Sequence, residues 1–270
     1  MYRTRSETPV LLARYDALLL DLDGTVYRGR EVVPGAVEAV AAAREHGTGI
    51  RFVTNNASRS PETVAEHLNE LGFHAALDEV STSAQAGAAM LLDLVPQGSN
   101  VLVLGTDALA EQVRLRGFQP TDSGDHAQAV VQGLSQDLGW RELAEACVAI
   151  RNGAHWVACN VDATLPTERG LLPGNGALVA ALKTATGVEP LVAGKPATPL
   201  LEQAAKSAGA QRPLVVGDRL DTDIAGAVNA GMDSLLVLTG VSTEAEARGL
   251  PEDRRPTYVA ADLSVLHRLP

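Results

Sequence analysis

The chain has 270 residues, which at about 150 residues per domain is enough for roughly two domains. Hydrophobic residues make up 46% of the chain and charged residues 20%, a globular balance that excludes wholesale disorder and fibrous repeats. The formal net charge of −11 and the aromatic content of 3% argue against a nucleic-acid partner, which needs a positive surface and stacking side chains.

Cysteine content and hydropathy bear on the cellular location. Cys147 and Cys159 are too few for a disulfide framework and lack zinc-site spacing, so we expect a reducing, cytoplasmic environment. The apolar run at residues 10–13 is too short for a signal peptide. Without an apolar run of about 18 residues, we expect no membrane span.

The first part of the chain alternates between apolar strands and capped helices. Residues 17–20 are continuously apolar, as in a strand buried on both faces of a parallel sheet, and they end in Asp21-Leu22-Asp23-Gly24-Thr25. Residues 50–53 form the next predicted strand, which ends in Thr54-Asn55-Asn56. Helices are predicted after each strand, between Pro34 and Gly47 and between Ser60 and Gly72.

A second strand and helix series fills the middle of the chain. Strands are predicted at residues 101–104, 129–131 and 156–158, and helices at residues 107–116 and 140–152. We therefore expect an inserted α/β domain at residues 85–188 within a core made of residues 1–84 and 189–270. The polar stretch from Asn160 to Arg169 is expected to be a loop of the inserted domain.

The last part of the chain again alternates between strands and helices, and its three predicted apolar strands each end in polar or glycine residues. They run into Gly194-Lys195-Pro196, Gly217-Asp218 and Thr239-Gly240. Residues 244–255 are polar and are expected to be flexible, before a last strand at residues 257–259. Alternating strands and helices predict an α/β fold with a mostly parallel sheet.

Chemically distinct side chains follow four of these strands, where ligands bind in open parallel sheets. They are Asp21 with Asp23, Thr54 with Asn55, Lys195, and Asp218. Carboxylates brought together repel each other, and a hard divalent cation such as Mg²⁺ removes that cost. The lysine and backbone N–H groups suit an anionic ligand such as a phosphate.

Four ordered motifs carry a family resemblance over nearly the whole chain: residues 21–25, 54–56, 194–196 and 217–223. They resemble those of the haloacid dehalogenase superfamily of phosphatases, whose Rossmann-like core holds a parallel sheet and an inserted α/β cap domain. The Thr-Asn-Asn form and the large insertion resemble subclass IIA, the NagD-like or p-nitrophenylphosphatase-like branch. Residues 160–178 are similar to the actinobacterial glycerol 3-phosphate phosphatases of that branch.

The resemblance implies a Mg²⁺-dependent hydrolysis of small phosphate monoesters through an aspartyl-phosphate. Asp21 is implied to be the nucleophile and Asp23 the general acid and base. Mg²⁺ is implied to bind the Asp21 carboxylate, the Asp23 carbonyl and the Asp218 carboxylate. The remaining implied roles are phosphate binding by Thr54, Asn55 and Lys195, an outer position for Asp223 near the metal's waters or Lys195, and substrate contact by Asn160 and Asp162 in the cap.

Several alternatives stay open from the sequence. The substrate is expected to resemble glycerol 3-phosphate, with phosphoglycolate, pyridoxal phosphate or a nucleotide monophosphate as alternatives, and a homodimer is left open. A receiver-like phospho-signalling protein or a non-catalytic binding protein is the alternative from another class. The loop at Asn160 and Asp162 has a purely structural alternative, in which Asx turns hold it. The stretch Pro173-Gly174-Asn175-Gly176 is either an N–H anion site or only the tight entry to a helix.

Overall fold

The computed structural model describes residues 11–167 and 169–266, which leaves only Val10 of the apolar run considered for a signal peptide outside the described part. Its strands are β1 (Ala17–Leu20), β2 (Tyr27–Arg28), β3 (Glu31–Val32), β4 (Gly49–Thr54), β5 (Val80–Thr82), β6 (Asn100–Leu104), β7 (Gln119–Thr121), β8 (Ala129–Gln132), β9 (His155–Ala158), β10 (Thr164–Thr167), β11 (Gly170–Pro173), β12 (Leu191–Val192), β13 (Pro213–Gly217), β14 (Asp233–Val237) and β15 (Tyr258–Ala260). The α-helices are α1 (Ala36–Glu45), α2 (Pro61–Glu70), α3 (Ser83–Leu94), α4 (Asp107–Leu115), α5 (Trp140–Arg151), α6 (Asn175–Thr186), α7 (Pro199–Ser207), α8 (Ala225–Asn229) and α9 (Glu244–Gly249). Among the described residues, none of these helices has the length and apolar character needed to cross a membrane.

The chain forms two compact units. The first contains the residues up to 54, residues 61–81 and the residues from 195 onward, and the second contains residues 55–60 and 82–194. The predicted division placed the insertion at residues 85–188. The units differ from it mainly in residues 55–60, which pack with the second unit although they lie far from it in sequence.

The first unit is built on a parallel sheet of six strands in the order β15-β14-β13-β1-β4-β5. Strand β1 lies between β13 and β4 and pairs in parallel with both, so that Leu20 lies opposite Val216 and Phe52. All four residues of β1 are buried, because helices cover both faces of such a sheet. This register brings the carboxyl ends of three central strands to one edge.

The second unit has its own parallel sheet of five strands, in the order β12-β9-β8-β6-β7. Its core is apolar and includes Leu102, Val130, Ala149, Trp156 and Leu182. Both units therefore confirm the predicted α/β class with parallel sheets.

Two stretches predicted to be irregular contain regular secondary structure among their described residues. The stretch expected to be a loop from Asn160 to Arg169 instead enters an antiparallel hairpin of β10 and β11. The stretch at residues 244–255, expected to be flexible, begins with helix α9, because Thr243 and Glu246 cap it reciprocally. The Thr243 hydroxyl accepts from the Glu246 N–H at 3.3 Å, and a Glu246 carboxylate oxygen accepts from the Thr243 N–H at 2.7 Å.

Candidate functional site

Lys195 forms hydrogen bonds with three groups near the strand ends of the first unit. Its ammonium donates to Asp21 Oδ1 at 2.5 Å, to Asp223 Oδ1 at 2.7 Å and to the Val53 carbonyl at 3.3 Å. The side chain of Lys195 is 3% exposed and that of Asp223 is 1% exposed. Burial by itself lowers the pKa of Lys195, but the two carboxylates raise this pKa above its usual value, so the ammonium stays charged.

Three carboxylates gather around this lysine. Asp21 follows β1, Asp218 follows β13, and Asp223 lies in the turn of residues 220–224, with one oxygen of each within 4.8 Å of the others. Burial and then the Asp223 carboxylate raise the pKa of Asp21 well above its usual value, against the opposite effect of Lys195. The same two causes raise the pKa of Asp218 to about 6. A single lysine does not compensate three carboxylates, so ionisation of all three together is disfavoured without a further cation.

The donor set of this cluster fits a hard divalent cation. Asp218 is fully buried, and its Oδ2 accepts from the Val241 N–H at 2.7 Å. Its Oδ1 is buried and has no hydrogen-bond partner among the described residues. A buried carboxylate oxygen without a donor is costly unless a cation satisfies it, and Mg²⁺ prefers such oxygen ligands.

A loop after β14 holds Asp218, although the strand pattern alone does not assign this loop to the site. A Cβ added at Gly240 would lie 1.9 Å from Asp218 Oδ2, and one added at Gly24 would lie 2.5 Å from the same atom. The Thr239 hydroxyl donates to the Gly24 carbonyl at 2.6 Å, which joins this loop to the loop after β1. The sequence signal was present in Thr239-Gly240 at a strand end, but their contact with Asp218 depends on tertiary structure.

The other residues predicted in the first unit lie at the expected strand ends. Asp23 is exposed, and the next residue, Gly24, donates its N–H to the Tyr27 carbonyl at 2.7 Å. Thr54 is buried as the last residue of β4. Asp223 also accepts from the Arg219 N–H at 3.1 Å, and Asp221 pairs with the Arg219 guanidinium.

In the second unit, the predicted residues Asn55, Asn160 and Asp162 form one hydrogen-bonded group. Asn160 Nδ2 donates to the Asn55 carbonyl at 2.8 Å, and Asn160 Oδ1 accepts from the Asp162 N–H at 3.2 Å. Asn55 Nδ2 lies 3.4 Å from both Asp162 carboxylate oxygens. The loop therefore contains the Asx turn that its structural alternative requires, and it also contacts a predicted phosphate-binding residue.

The glycines of Pro173-Gly174-Asn175-Gly176 serve close packing. The Gly176 N–H donates to the Asp162 carbonyl at 2.9 Å, and a Cβ added at Gly176 would lie 2.2 Å from the Val161 carbonyl oxygen. Asn175 Nδ2 donates to the Asn160 carbonyl at 2.7 Å. These contacts support the interpretation of this stretch as a tight helix entry against the loop after β9.

Comparison with known families agrees with this arrangement. A haloacid dehalogenase-like hydrolase model matches residues 18–119, and a second HAD-hydrolase-like model matches residues 192–266. The chain belongs to the haloacid dehalogenase-like hydrolases. The resemblance stated from the four motifs is thereby confirmed.

Relatives and solved structures cover most of this hydrolase. D-glycerol 3-phosphate phosphatase of Mycobacterium tuberculosis is 54% identical over 255 residues, which are 94% of this chain and 71% of that protein. A 5'-nucleotidase of Bacillus subtilis is 40% identical over 84% of this chain and 89% of its own length. The crystal structure of the M. tuberculosis glycerol phosphate phosphatase in complex with magnesium is 52% identical, has a TM-score of 0.92, and matches 97% of this chain and 79% of its own.

Proposed function

We propose that this hydrolase is a Mg²⁺-dependent phosphatase of small phosphate monoesters that works through an aspartyl-phosphate. The observation that carries the proposal is the group of Asp21 with the buried Lys195, Asp218 and Asp223, in which one carboxylate oxygen has no donor among the described residues. The phosphatase and nucleotidase names of the relatives support it.

Asp21 is the proposed nucleophile. One of its carboxylate oxygens forms a bond to phosphorus while the bond from phosphorus to the ester oxygen breaks. The 2.5 Å contact from the Lys195 ammonium fixes the orientation of the Asp21 carboxylate on the end of a rigid strand. Asp223 in turn fixes Lys195 from the other side, outside the proposed metal ligands.

Asp23 is the proposed general acid and base. It gives a proton to the leaving oxygen of the ester, and it then takes a proton from the water that attacks the aspartyl-phosphate. This second step releases inorganic phosphate and restores the Asp21 carboxylate. Its exposed position lets Asp23 exchange its proton with solvent between turnovers.

The proposed metal ligands are the Asp21 and Asp218 carboxylates and the Asp23 carbonyl. When bound there, Mg²⁺ neutralises negative charge on the phosphoryl group. The magnesium complex of the related M. tuberculosis phosphatase supports this choice of ion.

Thr54, the Asn55 N–H and Lys195 are proposed to bind the phosphoryl oxygens, because a hydroxyl, an amide and an ammonium are all donors. Asp162 is proposed to accept hydrogen bonds from the hydroxyls of the leaving group. Asn160 is the other predicted substrate residue, but its amide is already bonded to the Asn55 carbonyl and the Asp162 N–H.

A substrate related to glycerol 3-phosphate is proposed, on the 54% identity with the D-glycerol 3-phosphate phosphatase. The deciding experiment measures kcat/KM with Mg²⁺ for glycerol 3-phosphate, phosphoglycolate, pyridoxal phosphate and a nucleotide monophosphate. The highest value for glycerol 3-phosphate supports the proposal, and the highest value for the nucleotide would favour the activity named for the B. subtilis relative. Release of no phosphate from any ester would refute the function.

The predicted cytoplasmic location completes the proposal, and a homodimer stays open as the sequence left it. The location rests on the cysteine content, and both cysteines are free thiols in the structure. Light scattering on a size-exclusion column measures the oligomeric state directly.

A further inference from the structure

Residues 55–60, here called the anchored segment, directly follow Thr54 in the chain. They belong to the second unit, whereas Thr54 belongs to the first. The proposed phosphate-binding pair, Thr54 and Asn55, thus stands where the chain passes from one unit to the other.

The strand order of the second unit's sheet predicts a crevice of the kind that binds ligands in doubly wound folds. After β6 the chain continues to β7 on one side of the sheet, whereas after β8 it continues to β9 on the other side. The direction of the connections therefore changes between the neighbouring strands β6 and β8. At such a reversal the connections leave in opposite directions, and a crevice opens at the carboxyl ends of the two strands.

The anchored segment bonds to the residues at this crevice. Thr106, just after β6, donates its hydroxyl to the Ser58 carbonyl at 3.1 Å. The Ser58 hydroxyl donates to the carbonyl of Leu134, just after β8, at 2.5 Å. Between them, a Cβ added at Gly133 would lie 3.0 Å from Ala57 Cβ. The chain's own segment therefore takes the place that a ligand occupies in other sheets of this order.

The start of the segment is held by two further donors. The Asn55 carbonyl accepts from the Ser83 hydroxyl at 2.6 Å and from Asn160 Nδ2 at 2.8 Å, which uses both lone pairs of that oxygen. Ser83 is fully buried and Asn160 is 5% exposed, so water does not compete freely for these bonds. Asn175 supports Asn160 through its 2.7 Å bond to the Asn160 carbonyl.

The Thr106 hydroxyl bonds to the anchored segment and not to its own helix. Thr106 stands at the N-cap of α4, where a threonine hydroxyl usually accepts from a helix N–H, but no side-chain cap bond forms there. The hydroxyl is directed to Ser58 instead.

We propose that the second unit holds the anchored segment in this crevice and thereby positions Asn55 for the phosphoryl group. Thr106, Ser83 and Asn160 are positioning residues, and Asn160 acts on Asn55 rather than on substrate. The proposal rests on the proposed phosphatase function. Because a phosphoryl group is common to all substrates, loss of these residues impairs every ester by the same factor.

The test compares Thr106→Val and Asn160→Ala with two matched controls in the same unit. Thr184→Val also removes a hydroxyl that donates to a backbone carbonyl, that of Ala180, but on an exposed helix face. Asn152→Ala removes an exposed amide at the end of α5. For each protein we would measure kcat and KM for glycerol 3-phosphate and p-nitrophenyl phosphate, and the inhibition constant of inorganic phosphate.

We expect Thr106→Val and Asn160→Ala each to lower kcat/KM by about tenfold, equally on both esters, since misplaced binding groups lose rate without loss of fold. The inhibition constant of phosphate should rise in both, and the controls should stay within about twofold of wild type. Circular dichroism and thermal unfolding check the fold, and Thr106→Val decides the matter where Asn160→Ala does not fold.

A loss limited to glycerol 3-phosphate in Asn160→Ala would place its effect on recognition of the leaving group, either directly or through the Asp162 that it holds, and would overturn its positioning role on Asn55. Unchanged kcat/KM and phosphate inhibition in Thr106→Val would overturn the role of the crevice. If wild type hydrolyses neither ester, the proposed function fails instead, and calorimetric binding of inorganic phosphate to the same variants tests the positioning separately.

Discussion

Asp21 combines a burial that disfavours its charge with a lysine that holds it in one orientation. Asp21→Asn keeps the shape of the side chain but removes the nucleophilic carboxylate. We expect kcat to fall by at least about a hundredfold with an unchanged circular dichroism spectrum. Asp221→Asn is the matched control, because Asp221 is exposed and pairs with Arg219. Full activity of Asp21→Asn would exclude covalent catalysis by this residue.

Asp23 differs from Asp21 in being exposed, which fits a group that exchanges protons rather than one that attacks phosphorus. Asp23→Asn should lower kcat for glycerol 3-phosphate by about a hundredfold or more, and that for p-nitrophenyl phosphate much less. The glycerol alkoxide needs a proton to leave, whereas nitrophenolate does not. Equal losses in steady-state kcat on both esters would assign Asp23 to structure or to the metal.

The loop after β14 packs so closely against Asp218 that only a glycine fits at position 240. In Gly240→Ala, the new methyl group would overlap Asp218 Oδ2, so that this carboxylate must move. We expect the affinity for Mg²⁺, measured by calorimetry, to fall by about tenfold or more, because an octahedral site tolerates little displacement of a ligand. Gly249→Ala, at the end of α9, is the control, since a Cβ there meets nothing within 4 Å. Equal Mg²⁺ affinities of both variants would show that Asp218 does not need this packing.

At the level of elements, the sequence predicted what depends on local pattern. The apolar runs of β1, β4 and β13 and the polar residues after them were enough to place Asp21, Thr54 and Asp218 at strand ends. The close approach of Gly240 to Asp218 was not predictable, because it joins residues 22 positions apart through tertiary packing. Helix α9 was missed because its composition is polar, although its capping box of Thr243 and Glu246 was visible in the sequence.

At the level of the whole molecule, the net charge of −11 and the cluster of three carboxylates both make the protein electrostatically negative. Both favour bound cations over further anions, whereas the proposed substrate is itself an anion. Lys195 supplies one positive charge against three carboxylates, so phosphate binding in the first unit depends on added positive charge. The metal thus links the stability of the fold to the binding of substrate.

This link predicts how stability responds to Mg²⁺ and pH. In the metal-free protein, burial and Asp223 raise the pKa of Asp218 to about 6, and the pKa of Asp21 is raised as well. An acid with a raised pKa in the folded state binds more protons there than in the unfolded chain, so the stability that Asp218 contributes falls as pH rises from about 4 to about 6. Mg²⁺ replaces those protons and binds the ionised carboxylates, so its stabilising effect should grow as pH rises.

We expect saturating Mg²⁺ to raise Tm by roughly 3 °C more at pH 8 than at pH 5, measured by scanning calorimetry. Asp218→Asn should reduce this difference, because the amide cannot ionise. An equal rise in Tm at both pH values in wild type would separate metal binding from these carboxylates.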